Sequence, residues 1–170
     1  MKKLMLASLC IAAFVIVPAA SASAAPLTGS CAVTGAATFS PNLKSATQAG
    51  ITYRFAGVAK CVEAGTELHQ EGAATVEGKF KGNCAQAESE GEGTGSLVGH
   101  TVTNFKFKAA GGSVAFEGDG GLAGGGFAGH AGFYLSGSPV TGGELAAFCA
   151  AHAEGVSSLG FVATAAGTLK

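Results

Sequence analysis

The side chains that could carry catalysis are few and lie far apart along the chain. A Ser-His-Asp triad needs a carboxylate to orient its histidine, yet the sequence has one aspartate, Asp119, set between glycines where a turn former is expected. No G-x-S-x-G elbow accompanies it. The four histidines, His69, His100, His130 and His152, form no H-x-x-x-H pair that would hold zinc on a helix face. These residues predict no catalytic, cofactor-binding or metal site.

Three glutamates form a short acidic cluster. Glu88, Glu90 and Glu92 alternate with small residues, which places their carboxylates on one face of an extended segment. Oxygen ligands of this kind suit calcium. The favoured interpretation is a solvated acidic edge strand, because charges on an edge discourage pairing between sheets.

Cysteine is the residue type whose chemistry is predicted most firmly. Four cysteines, Cys31, Cys61, Cys84 and Cys149, follow an N-terminal leader. An even number in an exported chain indicates two disulfides, because the exterior of the cell is oxidising. Zinc sites of the finger type need close pairs such as C-x-x-C, and these four cysteines are widely separated.

The elements that must position these residues are β-strands, because apolar residues recur with a period of two. From Phe105 to Lys108, for example, phenylalanine alternates with lysine. The pattern predicts an all-β domain of about eight antiparallel strands, at 31–39, 51–60, 72–82, 92–98, 101–109, 113–118, 126–136 and 156–168. One face of these strands carries nine phenylalanines and is predicted to form the core: Phe39, Phe55, Phe80, Phe105, Phe107, Phe116, Phe127, Phe133 and Phe161.

The connections and the glycines refine this architecture. Tight turns are predicted at Gly99-His100 and Gly111-Gly112. Dense glycine between residues 111 and 143 predicts a strongly curved sheet, with an open loop over residues 120–126 as the alternative. An antiparallel sandwich and a closed barrel both suit this strand count, so both remain open.

One short helix is predicted late in the chain. Thr141 and Glu144 have the spacing of a capping box, followed by Leu145, Phe148 and Cys149 on one face. Cys31 begins the first strand and Cys61 ends the second, so an antiparallel hairpin would bring them together. Cys84, at the end of the third strand, is left for Cys149 on the helix. The predicted disulfides are therefore Cys31–Cys61 and Cys84–Cys149.

Four segments carry a distinctive combination of turns, small residues and cysteines: the G-A-A-T-F-S-P run at 35–41, the aromatic strand at 53–57 that leads to Cys61, the strand at 76–84, and the glycine-rich run at 124–132. Together they resemble a family of small secreted, glycine-rich, four-cysteine β-proteins of Gram-positive bacteria. Cys149 corresponds to the last cysteine of that family, whereas Gly99-His100 departs from its pattern. The resemblance implies the fold and export, and it implies no activity.

The N-terminus has the pattern of a secretory signal peptide. Lys2 and Lys3 precede an apolar run at 4–17, and a small-residue cleavage site ends at Ala24, with a second possible site after Ala22. The apolar run is shorter than the ~20 residues that a transmembrane helix needs. We therefore expect a secreted, extracellular domain over residues 25–170 with no transmembrane segment.

Composition narrows the possible functions. With ten basic and 11 acidic residues, the chain lacks the excess of positive charge with which proteins bind the phosphates of nucleic acid. Two tyrosines and no tryptophan cannot build the aromatic girdles of an outer-membrane barrel. Two hypotheses remain. The favoured one is a non-catalytic secreted module that binds an unidentified extracellular ligand or a cell-envelope component. The alternative is a small secreted hydrolase that uses glutamate and histidine residues brought together by folding.

Overall fold

The computed structural model describes residues 27–85, 88–120 and 125–169. The predicted signal peptide, residues 1–24, and most of the predicted open loop lie outside these ranges. The described residues form strands and one helix in the order β1 Leu27–Leu43, β2 Gln48–Glu63, β3 His69–Gly82, β4 Ser89–Leu97, β5 His100–Ala110, β6 Ser113–Gly120, β7 Gly125–Leu135, β8 Ser138–Val140, α1 Gly142–Ala151 and β9 Val156–Leu169.

Eight of these strands close into an antiparallel barrel. Strands β1 to β6 pair in sequence order, β1 also pairs with β9, and β9 pairs with β7. The pairing of β7 with β6 completes the ring, so each of the eight strands has a neighbour on both sides. The all-β prediction is confirmed, and the closed barrel is the form adopted. The short β8 adds to β7 and was not predicted, because three residues that include Pro139 show no alternation.

The alternation of the sequence matches the two faces of the barrel wall. Phe80, Phe127 and Phe133 are buried, and the other six phenylalanines predicted to face inward are partly buried. Buried residues form two clusters. The helix-end cluster comprises Leu43, Ile51, Tyr53, Phe80, Cys84, Ala109, Val114, Phe133, Leu145, Cys149, Val156 and Leu159. The far-end cluster comprises Leu27, Cys31, Val33, Ala59, Cys61, Ala74, Leu97, Val102, Phe127, Ala165 and Leu169.

Both predicted disulfides are present. Cys31 and Cys61 are direct partners in the β1–β2 register and lie in the far-end cluster. Cys84 follows β3 and is bonded to Cys149 of α1, with a Cα–Cα distance of 5.7 Å. One bridge therefore joins two strands at the far end, and the other holds the helix against the opposite end.

The turn between β4 and β5 is shifted by one residue from the predicted Gly99-His100. Val98 and Gly99 are its two central residues, with φ angles of 50° and 83°, and Leu97 pairs with His100. A β-branched residue rarely adopts positive φ, which is why valine gave no turn signal. His100 is consequently the first residue of β5 and is buried. The predicted Gly111-Gly112 turn is confirmed, with φ angles of 60° and 88°.

Asp119 is a strand residue, so the prediction that it forms a turn is wrong. It lies in β6, and its Oδ2 accepts a hydrogen bond of 2.8 Å from Asn104 Nδ2. Asn104 has a φ of 49° where the β5–β6 register shifts, as expected at a β-bulge. The carboxylate therefore supports the bulge that keeps Val102 and Phe105 on the inward face.

Helix α1 begins with the predicted capping box. Glu144 N donates to Thr141 Oγ1 at 3.3 Å, while Thr141 N donates to Glu144 Oε2 at 2.7 Å. The backbone and side-chain hydrogen bonds from Thr141 lower the pKa of Glu144. These hydrogen bonds favour the carboxylate form of Glu144 in the folded state. They therefore contribute to the stability of the fold at pH values above the ordinary pKa of glutamate. That contribution is lost as pH falls through the lowered value.

We expect Thr141→Ala to lower the free energy of unfolding by about 1 kcal/mol, because an orphan helix N–H loses its acceptor. The pKa of Glu144 should rise toward its ordinary value in this variant. Urea unfolding and NMR titration of the Glu144 side chain measure the two effects. Thr141→Ser keeps the hydroxyl and should leave both near the native values, whereas equal losses in the two variants would contradict the capping role.

Candidate ligand-binding cavity

The barrel interior contains an apolar cavity of about 130 Å³. Its wall includes members of the helix-end cluster and of the far-end cluster, so the cavity occupies the middle of the barrel. All nine phenylalanines predicted to form the core line it, together with Tyr53. The remaining lining residues are mostly alanine and valine. Ten aromatic rings therefore surround a space that they do not fill.

Strand β4 helps to explain why this space exists. An eight-stranded barrel has an interior just wide enough for side chains to fill. Gly91, Gly93 and Gly95 take three successive inward positions of β4 and project nothing into the interior. Rings from other strands lie against them: Phe107 Cε1 is 2.5 Å from the point where a Cβ of Gly91 would stand. Likewise, Tyr53 Oη is 2.6 Å from the point where a Cβ of Gly93 would stand. The rings lie along the wall, and the centre stays open.

Exposure of the rings agrees with an open interior. Six of the inward phenylalanines keep a fraction of their surface accessible, and all six border the cavity: Phe39, Phe55, Phe105, Phe107, Phe116 and Phe161. A fully packed core would bury such side chains almost completely. Phe107 and Phe116 also border an open groove on the outside of the barrel, so the other four rings are the ones whose accessible apolar surface indicates room for an occupant inside.

Contacts between the rings hold the cavity wall in place. Tyr53 and Phe107 meet edge to face, with centroids 5.4 Å apart and an interplanar angle of 89°. Phe55 and Phe161 do the same at 6.3 Å and 86°. These are favourable aromatic geometries. The rings support one another around the space, which opposes its collapse.

The polar groups of the wall bond to one another or to the backbone. Tyr53 Oη donates to the Glu92 carbonyl oxygen at 3.3 Å. The hydroxyls of Thr75 and Ser96 are 3.0 Å apart and form one hydrogen bond. Burial, and secondly the Glu92 carboxylate, raises the pKa of Tyr53 far above its ordinary value, so the hydroxyl stays neutral. No charged side chain is among the described residues that line the cavity.

The outer wall has the opposite chemistry. An open groove of about 820 Å³, which we call the outer groove, is lined mainly by outward side chains of β3 to β7. Parts of three inward rings, Phe80, Phe107 and Phe116, also border it. Cross-strand neighbours there alternate in charge. One row runs Lys79, Glu92, Lys106, Glu117, and a second runs Lys81, Glu90, Lys108. Charge thus lies on the outside of the barrel, while the inside is apolar.

The acidic-edge interpretation of the glutamates is corrected by the topology. Strand β4 pairs with β3 and β5, so Glu90 and Glu92 belong to a strand with neighbours on both sides. Each has a lysine opposite it on either side, and these cations supply the compensating charge. Glu88 is exposed and precedes β4. Among the residues the structure describes, no group of three or more His, Cys, Asp or Glu side chains has the arrangement of a metal site.

One of the four histidines lies near glutamates: His130 shares the outer groove with Glu90, Glu92 and Glu117. His100, in contrast, is buried in the wall, where its Nε2 has no hydrogen-bond partner. His152 Nδ1 lies 2.7 Å from the carbonyl oxygen of Phe148 at the end of α1. His69 begins β3. Across the described ranges, no hydrogen bond joins a glutamate to a histidine.

Comparisons with known proteins identify no protein similar to this chain. What the fold and the cavity define is a closed, disulfide-bonded antiparallel barrel with an apolar interior. No protein-family model, curated protein or solved structure matches the chain significantly. The resemblance to the four-cysteine family therefore stays a prediction. Within the described residues, no helix has the length and apolar character needed to cross a membrane.

Sequence reasoning located the lining residues but missed the cavity between them. The signal was present in β4, where Gly93 and Gly95 fall on inward positions of the strand predicted at 92–98 and Gly91 precedes it with the same alternation. Three successive inward glycines leave one side of a barrel without side chains. From the sequence, the glycines next to Glu90 and Glu92 were interpreted only as small residues that alternate with the glutamates.

Proposed function

We propose that this protein is a secreted, non-catalytic binding module that holds one small ligand inside its barrel. The observation that carries the proposal is the apolar cavity of about 130 Å³ in the barrel interior. Secretion is supported by the leader pattern at residues 1–24 and by two disulfides, which persist in oxidising compartments. Closed eight-stranded barrels have room for one small molecule.

The energetics of the empty cavity favour an occupant. At ~24 cal/mol per Å³, a void of this size lowers stability by about 3 kcal/mol relative to a filled core. An occupant restores the missing dispersion contacts of the surrounding rings. A chain that served only as a scaffold would be more stable with larger residues at Ala131 or Ala163, both of which line the space.

Xenon tests whether the cavity accepts an apolar occupant, because it binds in dry apolar cavities without regard to hydrogen bonding. Under xenon pressure, we expect saturable shifts in the NMR signals of the Ala131 and Ala163 methyl groups. Ala131→Leu, which adds three carbon atoms to the interior, should abolish these shifts.

Ala128→Leu is the matched control, because Ala128 lies in the same strand and faces the outer groove. It should bind xenon as the native protein does. Absence of saturable shifts in the native protein would defeat the proposed function. Equal binding by the two variants would show that xenon occupies another place.

A further inference from the structure

We infer that the ligand is an uncharged, single-ring hydrocarbon of the size of benzene or toluene, without a hydrogen-bonding group. This inference rests on the proposed function, since it names the class of molecule that the same cavity selects. The size of the cavity and the polarity, charge and shape of its wall each restrict the class of ligand.

Size sets the upper limit. An engineered apolar cavity of about 150 Å³ in another protein accommodates benzene, and the cavity here is about 130 Å³. One six-membered ring with at most a short substituent therefore fits. A long acyl chain or a fused polycyclic skeleton does not, because aromatic rings bound the space on several sides.

Polarity excludes ligands that need hydrogen bonds. The proton of the Tyr53 hydroxyl is donated to the Glu92 carbonyl oxygen, and Oη lies against Gly93 at the wall. Thr75 and Ser96 bond to each other, and the strand amides and carbonyls are used in the barrel pairing. Tyr53 Oη can still accept a hydrogen bond, and the Thr75–Ser96 pair keeps one hydroxyl proton, but both oxygens of that pair and Oη lie at the wall. A hydroxyl or amide group brought into this space therefore loses several bonds to water and regains one or two at most.

Charge is excluded as well, although aromatic rings can bind cations. A quaternary ammonium group held in an aromatic cage gains from the ring faces. Among the described residues, however, no carboxylate lines this cavity, and the Tyr53 hydroxyl remains neutral because burial raises its pKa. The acidic side chains of β4 project to the outer groove. A cation inside would be desolvated without a counter-charge.

Shape favours a flat ring over a globular hydrocarbon. The lining rings already meet one another edge to face, as Tyr53 and Phe107 do at 89°. The closest pair, Phe133 and Phe161, has centroids 4.8 Å apart and a tilt of 54°. An aromatic guest extends this arrangement, because its edge can meet a ring face and its face can meet a ring edge.

A three-compound titration of the purified protein, with both disulfides intact, tests the class. The probes are toluene, phenol and tetramethylammonium, followed by NMR of the Ala131 and Ala163 methyl groups. We expect saturable binding of toluene, binding of phenol weaker by about tenfold or more because its hydroxyl loses more hydrogen bonds to water than the wall can replace, and no saturation by tetramethylammonium. Ala131→Leu should lose toluene binding, and Ala128→Leu should retain it.

The outcomes separate the ligand class from the proposed function. If xenon binds but phenol or tetramethylammonium binds as tightly as toluene, the class is wrong and the binding module stands. If xenon binds and toluene does not, the size argument is wrong. If neither xenon nor toluene binds, both proposals are wrong. Should Ala131→Leu fail to fold, Ala163→Val offers a smaller addition at another lining position, with loss of toluene binding again expected.

Discussion

Replacing both cysteines of the Cys84–Cys149 bridge with alanine is expected to lower the free energy of unfolding by about 4 kcal/mol. The two residues are 65 positions apart, and in the loop-entropy model a long closed loop strongly restricts the unfolded chain. The bridge also holds α1 in place: Leu145 and Cys149 are buried in the helix-end cluster. Guanidinium unfolding followed by circular dichroism measures the loss.

The matched control is the double replacement of Cys31 and Cys61, which are 30 positions apart. Its loss should be several tenths of a kcal/mol smaller in the same model. Hydrogen exchange distinguishes the two variants further. Amides of α1 should exchange faster without Cys84–Cys149 and remain protected without Cys31–Cys61. Unchanged protection of α1 in the first variant would mean that the helix is held by its apolar contacts alone.

Local sequence patterns were sufficient to predict the strands and the disulfides. Phe105 and Phe107 alternate with Lys106 and Lys108, and the structure places the rings inside and the lysines outside. Such alternation depends on residues two apart, so it is visible without knowledge of distant contacts. The Cys31–Cys61 bridge could also be predicted from local patterns, because two consecutive strands that pair antiparallel bring these cysteines opposite each other.

Closure of the barrel could not be predicted in this way. It depends on the pairing of β6 with β7 and of β9 with both β7 and β1. In a sandwich these strands would have the same inward and outward faces, so the alternation of apolar and polar residues does not distinguish a sandwich from a closed barrel. The error about Glu90 and Glu92 had the same origin. Whether a strand lies at the edge of a sheet is a property of the whole sheet. The sequence around Glu90 and Glu92 does not show it.

The cavity was missed for a physical reason of a different kind. Sequence patterns show which side chains face inward, but not how completely their volumes fill the interior. Large rings at Phe80 and Phe107 suggested a full core, while glycines at the inward positions of β4 removed volume from one side. The sum of these two effects depends on the barrel circumference, which is known only once closure is known.

A single added methyl group is expected to have a large effect where β3 and β4 approach each other closely. Gly78 pairs with Gly93 where β3 and β4 meet. A Cβ on Gly78 would overlap the Glu92 carbonyl oxygen and would stand 2.6 Å from Gly93 Cα. Both obstacles are backbone atoms, which cannot rotate away as a side chain can. We therefore expect Gly78→Ala to lower the free energy of unfolding by about 3 kcal/mol, at the upper end of overpacking effects.

Gly132→Ala provides the control, because a Cβ at Gly132 would meet no atom within 4 Å, and its backbone lies outside the left-handed region. Alanine there restricts the unfolded chain without strain, so stability should stay unchanged or rise by up to about 1 kcal/mol. The Gly78 variant should also move the carbonyl that accepts the Tyr53 hydrogen bond. Its cavity should then bind xenon more weakly, while the Gly132 variant binds it normally. Equal stability of the two variants would mean that β3 and β4 can separate freely, and the close approach of these strands would then play no part in shaping the cavity.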